Sequence, residues 1–156
     1  MAHDLTETFW DRLSNIRAGM LSPNTAAPRP MAHTAKKDDN AIWFITADGT
    51  DVADAAKVGD TGLYQVACAK GQLYAWVKGT LSLETQPEKL DEIWSPMAAV
   101  WFDDGRSDDD IRLVRFTPSS GEAWTTDGNG KALFEFAKSQ ITGTQPDVGD
   151  QGNLMF

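Results

Sequence analysis

The chain has 156 residues, 41% hydrophobic and 24% charged, ordinary proportions for one soluble domain spanning residues 1–156 with a real core to bury. Its net charge of −9 argues against a nucleic-acid or anionic-membrane surface, and it requires that any phosphate-bearing ligand be held by a few local cations or by backbone N–H groups. A single cysteine, Cys68, excludes an internal disulfide and a zinc cluster; with no long apolar run and no leader-like N-terminus, a cytoplasmic protein is expected.

Asp4 and Glu7 stand at capping-box spacing, and Phe9, Trp10, Leu13 and Ile16 form one apolar face, so a helix is predicted over 5–17. A short strand at 18–21 enters a turn at Ser22-Pro23-Asn24-Thr25, and 29–34 reads as extended, its prolines keeping it out of helix. The segment 41–46 is apolar on both faces, the mark of a strand buried on both sides. A short helix over 50–58 follows, capped by Thr50 or Asp51. Strands are predicted at 62–69 and 72–84, joined through Ala69-Lys70-Gly71. Along 72–84, Leu73, Ala75, Val77, Gly79, Leu81 and Leu83 share one face, while Tyr74, Trp76 and Lys78 mark the other as unlike plain solvent surface. Thr85 and Glu88 predict a second capping box, with Pro96 ending or kinking the helix near Trp94. Two strands at 111–117 and 121–126 and a helix at 131–141 complete the chain. The fold class is α+β, mainly β: a six- to seven-stranded antiparallel split barrel with flanking helices.

Familiar catalytic patterns are few. His3 and His33 lack flanking ligands for a metal. Asp127-Gly128-Asn129-Gly130-Lys131 lacks the first glycine and the final Ser/Thr of a phosphate loop, and reads as a turn before a helix. The acidic stretch 103–110 lacks calcium-loop spacing and reads as a solvated connection. Six tryptophans are compatible with a core, a dimer interface or the walls of a flat ligand's site. Arg29, a lone cation on an extended segment, reads by itself as a surface residue.

Several motifs occur in order along the chain: Arg29-Pro30-Met31, Trp43-Phe44-Ile45-Thr46, Trp94-Ser95-Pro96 followed by Trp101-Phe102 and Gly105, and Thr142-Gly143 with Pro146-Asp147 and Gly149. Together they resemble the general stress protein branch of the pyridoxamine 5'-phosphate oxidase-like split barrels. The resemblance implies a homodimer with one flavin mononucleotide (FMN) in each of two clefts between subunits. It places Arg29 nearest the phosphate, on a strand running past the flavin through Pro30, Met31 and Thr34. Ile45 and Thr46 then lie beside the ring and ribityl chain, Thr50 stands at a phosphate-binding serine, and Tyr74 reaches the cofactor from the long strand. The signature tryptophans Trp94 and Trp101 are counted with the cofactor-binding residues.

One departure is informative. Where the family has Ser-Arg-Lys, this chain has Thr50-Asp51-Val52. Losing the phosphate-binding lysine is expected to remove roughly 1.5–3 kcal/mol, about ten- to a hundred-fold in affinity. Lys36, Lys37 and Lys57 are the candidates to replace it, and Val52→Lys is expected to restore binding. Two functions follow: an FMN-dependent oxidoreductase of unknown substrate, or a non-catalytic dimeric barrel whose flavin affinity is weak or lost. Pyridoxamine 5'-phosphate oxidase activity itself is not expected, because Thr142–Phe156 has no counterpart of the Arg/His substrate segment of those enzymes.

Overall fold

The computed structural model describes residues 3–126 and 149–156. The helix expected at 131–141 and most of the Thr142–Gly149 motif lie outside them.

Among the described residues, nine strands and four α-helices follow in order: β1 (His3–Asp4), α1 (Thr6–Leu13), β2 (Ala18–Pro23), β3 (Arg29–Ala32), β4 (Thr34–Lys36), β5 (Ala41–Ala47), α2 (Asp51–Lys57), β6 (Thr61–Cys68), β7 (Leu73–Glu84), α3 (Pro87–Ile93), α4 (Pro96–Ala99), β8 (Ile111–Thr126) and β9 (Gly149–Leu154). All pairings are antiparallel except β1 with β9.

The pairings trace a ring. β5 pairs with β8, β8 with β7, β7 with β6, β6 with β2 and β2 with β3. β4, one residue beyond β3, pairs back onto β5. The ring therefore closes along the chain itself, at His33, rather than across a ladder of hydrogen bonds. β8 also forks. One of its edges carries β7 throughout, while the other carries β5 along 111–116 and β9 along 121–126.

Each strand follows from its residues. The even-odd alternation of β7 turns Leu73, Ala75, Val77 and Leu81 into the barrel, where all are buried. β5 buries both faces: Ile42 and Phe44 join the main core, and Ala41 and Trp43 join a second cluster outside the barrel with Leu90 and Leu113. α1 lays Phe9, Trp10 and Leu13 on the main core, and α2 adds Val52, Ala55 and Ala56.

Three local expectations are corrected and one is refined. First, α1 begins at Thr6, so Asp4 lies one residue before the cap and accepts the Thr6 N–H at 3.0 Å instead of forming a capping box with Glu7. Second, α3 begins at Pro87 with Gln86 as cap and no side-chain cap bond, so Thr85 and Glu88 form no box. Third, the helix ends near Trp94 as expected, with α3 stopping at Ile93, but Pro96 also opens a separate helix, α4, as its first residue, where its missing N–H costs nothing, and Ser95 caps it by accepting from Ala98 N. Fourth, the two strands expected at 111–117 and 121–126 are one strand of 16 residues. Pro118-Ser119-Ser120 makes a bulge, with Lys78 opposite Ser120 and Gly79 opposite Pro118. Ser119 donates its hydroxyl to the Lys78 carbonyl at 3.1 Å. The backbones approach closely here: a Cβ on Gly79 would lie 2.5 Å from the Thr117 carbonyl oxygen. β1, β4 and β9 are additions to the strands read from sequence.

Candidate flavin-type cleft

Seven of the ten residues singled out from sequence fall into three places. The first is where β3 meets the start of α2. Ring closure brings Arg29 to Asp51, and Arg29 Nη2 donates to Asp51 Oδ2 at 2.6 Å. Arg29 Nε is buried and has no hydrogen-bond partner among the described residues. Beside this pair, Thr50 caps α2, accepting from Ala53 N at 3.2 Å and donating to the Ala47 carbonyl at 2.9 Å. Thr46 Oγ1 is 2.9 Å from Thr50 Oγ1, and with the Thr50 proton on Ala47 it is Thr46 that donates. Thr50 then uses its one proton and both lone pairs within the protein.

The second place is the outer face of the sheet. The register sets Pro30 beside Met20, Met20 beside Gln65, Gln65 beside Trp76 and Trp76 beside Glu122, with Tyr74 beside Trp124 in the next row. Of these, Met20, Pro30, Gln65, Tyr74, Trp76 and Trp124 line an open shelf of about 590 Å³. Trp76 donates through Nε1 to Glu122 at 3.2 Å, Lys78 Nζ lies 5.8 Å from the Trp76 ring centroid, and Met20 is exposed. Met31, the neighbour of Pro30, turns the other way and packs against the main core.

The third place is the second cluster, where Ile45 and Trp94 pack together with Ile93 and Ile111. Trp94 also meets Phe102, with ring centroids 5.8 Å apart. Trp101 is apart from this packing, 82% exposed on the chain just after α4, together with Met97 and Val100. Thr34 sits in β4 opposite Trp43. Arg29, Thr46 and Thr50 are thus gathered, Pro30 and Tyr74 share the shelf, and Ile45 and Trp94 share the second cluster.

The lysines considered as substitutes are engaged by acids: Lys36 with Glu92 at 3.2 Å, Lys37 with Glu7, and Lys57 with Asp48 at 3.8 Å. Val52 is 1% exposed, in the main core. A lysine at 52 would have to leave that core to reach a phosphate beside Arg29. Of the first-turn acids of α2, Asp51 is the one paired with Arg29, and an ammonium held in Val52's place would be buried. Two features had no clear signal in the sequence. One is the Arg29–Asp51 contact, which spans 22 residues. The other is a buried pair at the bend between β3 and β4: His33 Nε2 lies 3.0 Å from the Leu13 carbonyl, and Nδ1 contacts the Tyr64 hydroxyl. Burial lowers the His33 pKa from its ordinary value, so the imidazole is neutral, donating to Leu13 and accepting from Tyr64. Burial raises the Tyr64 pKa, which keeps its proton in place. Among the described residues, no group of three or more His, Cys, Asp or Glu side chains is arranged to hold a metal.

A six-stranded ring closed through a bent strand, with a long forked strand carrying a second set of partners, defines a split β-barrel. The sequence profile described as "Pyridoxamine 5'-phosphate oxidase like" matches residues 4–147, and the chain belongs to that family. It is similar in structure to a candidate general stress protein 26 from Jannaschia sp. CCS1, with 43% identity over 97% of this chain and 98% of that one, at a TM-score of 0.83. A general stress FMN/FAD binding protein from Xanthomonas citri is 26% identical over 80% of this chain and 91% of its own, with a TM-score of 0.70. An FAD binding protein from Mycobacterium smegmatis, 16% identical over 75% of this chain and 90% of its own, shares the fold at a TM-score of 0.53. No curated protein matches the chain.

Proposed function

We propose that this protein is a flavin-binding split barrel of the general stress protein type that acts, as a homodimer, as a flavin-dependent oxidoreductase. The observation that carries this reading is the aromatic shelf of Tyr74, Trp76 and Trp124, with Pro30 at its rim and Arg29 one residue further along the strand. A flat, amphipathic ring suits such walls, and the similarity to the Xanthomonas citri FMN/FAD binding protein points to the same ligand class. The fit is good at the ring end and poorer at a phosphate, because Arg29 is already paired.

A bound flavin supplies the redox chemistry. The chain's own part is to hold and orient the ring. The second subunit is proposed to lie on the same shelf, where half-buried aromatics and an exposed Met20 make a surface of interface composition. A second reading, a binding protein without catalysis, is favoured by the occupied state of Arg29.

The test is direct. Purified protein titrated into riboflavin and FMN is expected to quench flavin fluorescence saturably, and to sediment as a dimer at micromolar concentration. No quenching at millimolar flavin defeats the flavin reading, and a monomer defeats the shared cleft. Quenching without electron transfer to any added acceptor supports the second reading.

A further inference from the structure

Resting on the flavin reading, we infer that Asp51 sets the cleft's specificity: it favours flavins that end in the free ribityl hydroxyl over flavins that end in phosphate.

In the flavin reading Arg29 is the cation that would meet a phosphate, and Asp51 already holds its guanidinium, with Oδ2 at 2.6 Å from Nη2. The pair sits at the surface, with side chains 37% and 56% exposed for Arg29 and Asp51, so an incoming ligand reaches both. A dianionic phosphate has to displace Asp51 from the guanidinium and then lie beside the freed carboxylate. The other side chains considered for the phosphate are engaged elsewhere. Thr50 has spent its hydroxyl on Ala47, Ala53 and Thr46, while Lys57 pairs with Asp48 and Lys36 and Lys37 pair with Glu92 and Glu7. Asp54, one turn further along α2, is exposed and is not paired with Arg29, so it serves as the control for bulk charge.

An uncharged polyol end meets the opposite situation. It leaves the ion pair intact, and Asp51 Oδ1 accepts no hydrogen bond from the described residues, so it is open to a hydroxyl donor. The terminal hydroxyl of riboflavin supplies one, whereas the phosphate of FMN supplies further acceptors and negative charge. Discrimination of this kind arises as much from repelling one ligand as from binding the other.

The experiment compares riboflavin and FMN by fluorescence quenching at fixed ionic strength, for the wild-type protein, Asp51→Asn and Asp54→Asn. Thermal melts check that each variant folds; Asp51 is exposed and Thr50 keeps the cap of α2, so Asp51→Asn is expected to fold. Wild-type protein is expected to bind riboflavin at least as tightly as FMN. Asp51→Asn is expected to tighten FMN tenfold or more while changing riboflavin less than threefold, and Asp54→Asn to leave the ratio within threefold of wild type. Tighter binding of FMN by the wild-type protein overturns the inference while leaving the flavin reading standing. So does an Asp51→Asn ratio equal to wild type, or an Asp54→Asn variant that shifts the ratio as far as Asp51→Asn, which would assign the effect to bulk charge. Binding of neither flavin by any of the three proteins removes the flavin reading, and the inference with it.

Discussion

His33 joins the barrel's two half-strands, and its chemistry follows from that position. Both ring nitrogens are used, one toward Leu13 and one toward Tyr64, in a setting where burial disfavours the imidazolium. The folded state thus binds a proton less readily than the unfolded chain, whose histidine titrates near 6.5. The contribution of His33 to stability is complete above that pH and is lost as pH falls through it toward the lower folded value. Urea unfolding between pH 7.5 and 5 is expected to show stability falling by up to about 1.4 kcal/mol per pH unit below 6.5 from this group. His33→Gln is expected to flatten that acid limb; an unchanged limb would assign it elsewhere. Asp39, Glu92 and Asp108, all held below their ordinary values by hydrogen bonds, act in the same direction only nearer pH 4. None of this was legible beforehand, because a histidine on an extended segment says nothing about a tyrosine 31 residues later. Arg29 was legible as an isolated cation, but its partner was not. Asp51 read as a missing lysine, and only the closed ring shows it to be a present anion.

At the scale of elements, strands with strong periodicity were read well and those shaped by a partner were not. β7 announces itself, since thirteen alternating residues leave little choice of face. The double-sided apolar character of β5 finds its cause in two separate cores. β8 was divided in error because Pro118-Ser119-Ser120 has the composition of a turn, while the fact that β7 continues alongside it is not written locally. β9, Gly-Asp-Gln-Gly-Asn-Leu, has no apolar alternation at all and exists by pairing with β8. The bulge carries a prediction of its own. Gly79→Ala would put a methyl 2.5 Å from the Thr117 carbonyl oxygen and 2.8 Å from the Phe116 ring, in a strand held on both edges. Overpacking of this kind is expected to cost about 2–3 kcal/mol, read as a lowered denaturation midpoint with an unchanged m-value. A neutral Gly79→Ala would show that the two strands are free to part at the bulge.

For the molecule as a whole, family and fold were accessible because ordered motifs span most of the chain, while the pairing of Arg29 with Asp51 was not. No helix among the described residues is long and apolar enough to cross a membrane. Apolar surface is concentrated instead on the shelf and on the stretch of Met97, Val100 and Trp101. The closure at His33 gives the barrel an uneven resistance to opening. Between β3 and β4 the ring is continuous only through the chain, with ladders of four and three residue pairs on either side, against twelve along β7 and β8. The segment can therefore swing outward by breaking two short ladders and the His33 contacts, leaving the long hairpins intact. Deuterium uptake should reveal this as earlier labelling of Met31, Ala32 and Ala35 than of Ala75, Val77 and Leu81. Tyr64→Phe, by removing one fastening of that segment, is expected to quicken the former far more than the latter. The barrel would then behave less as a sealed cylinder than as a clasp, hinged where one histidine holds its two halves together.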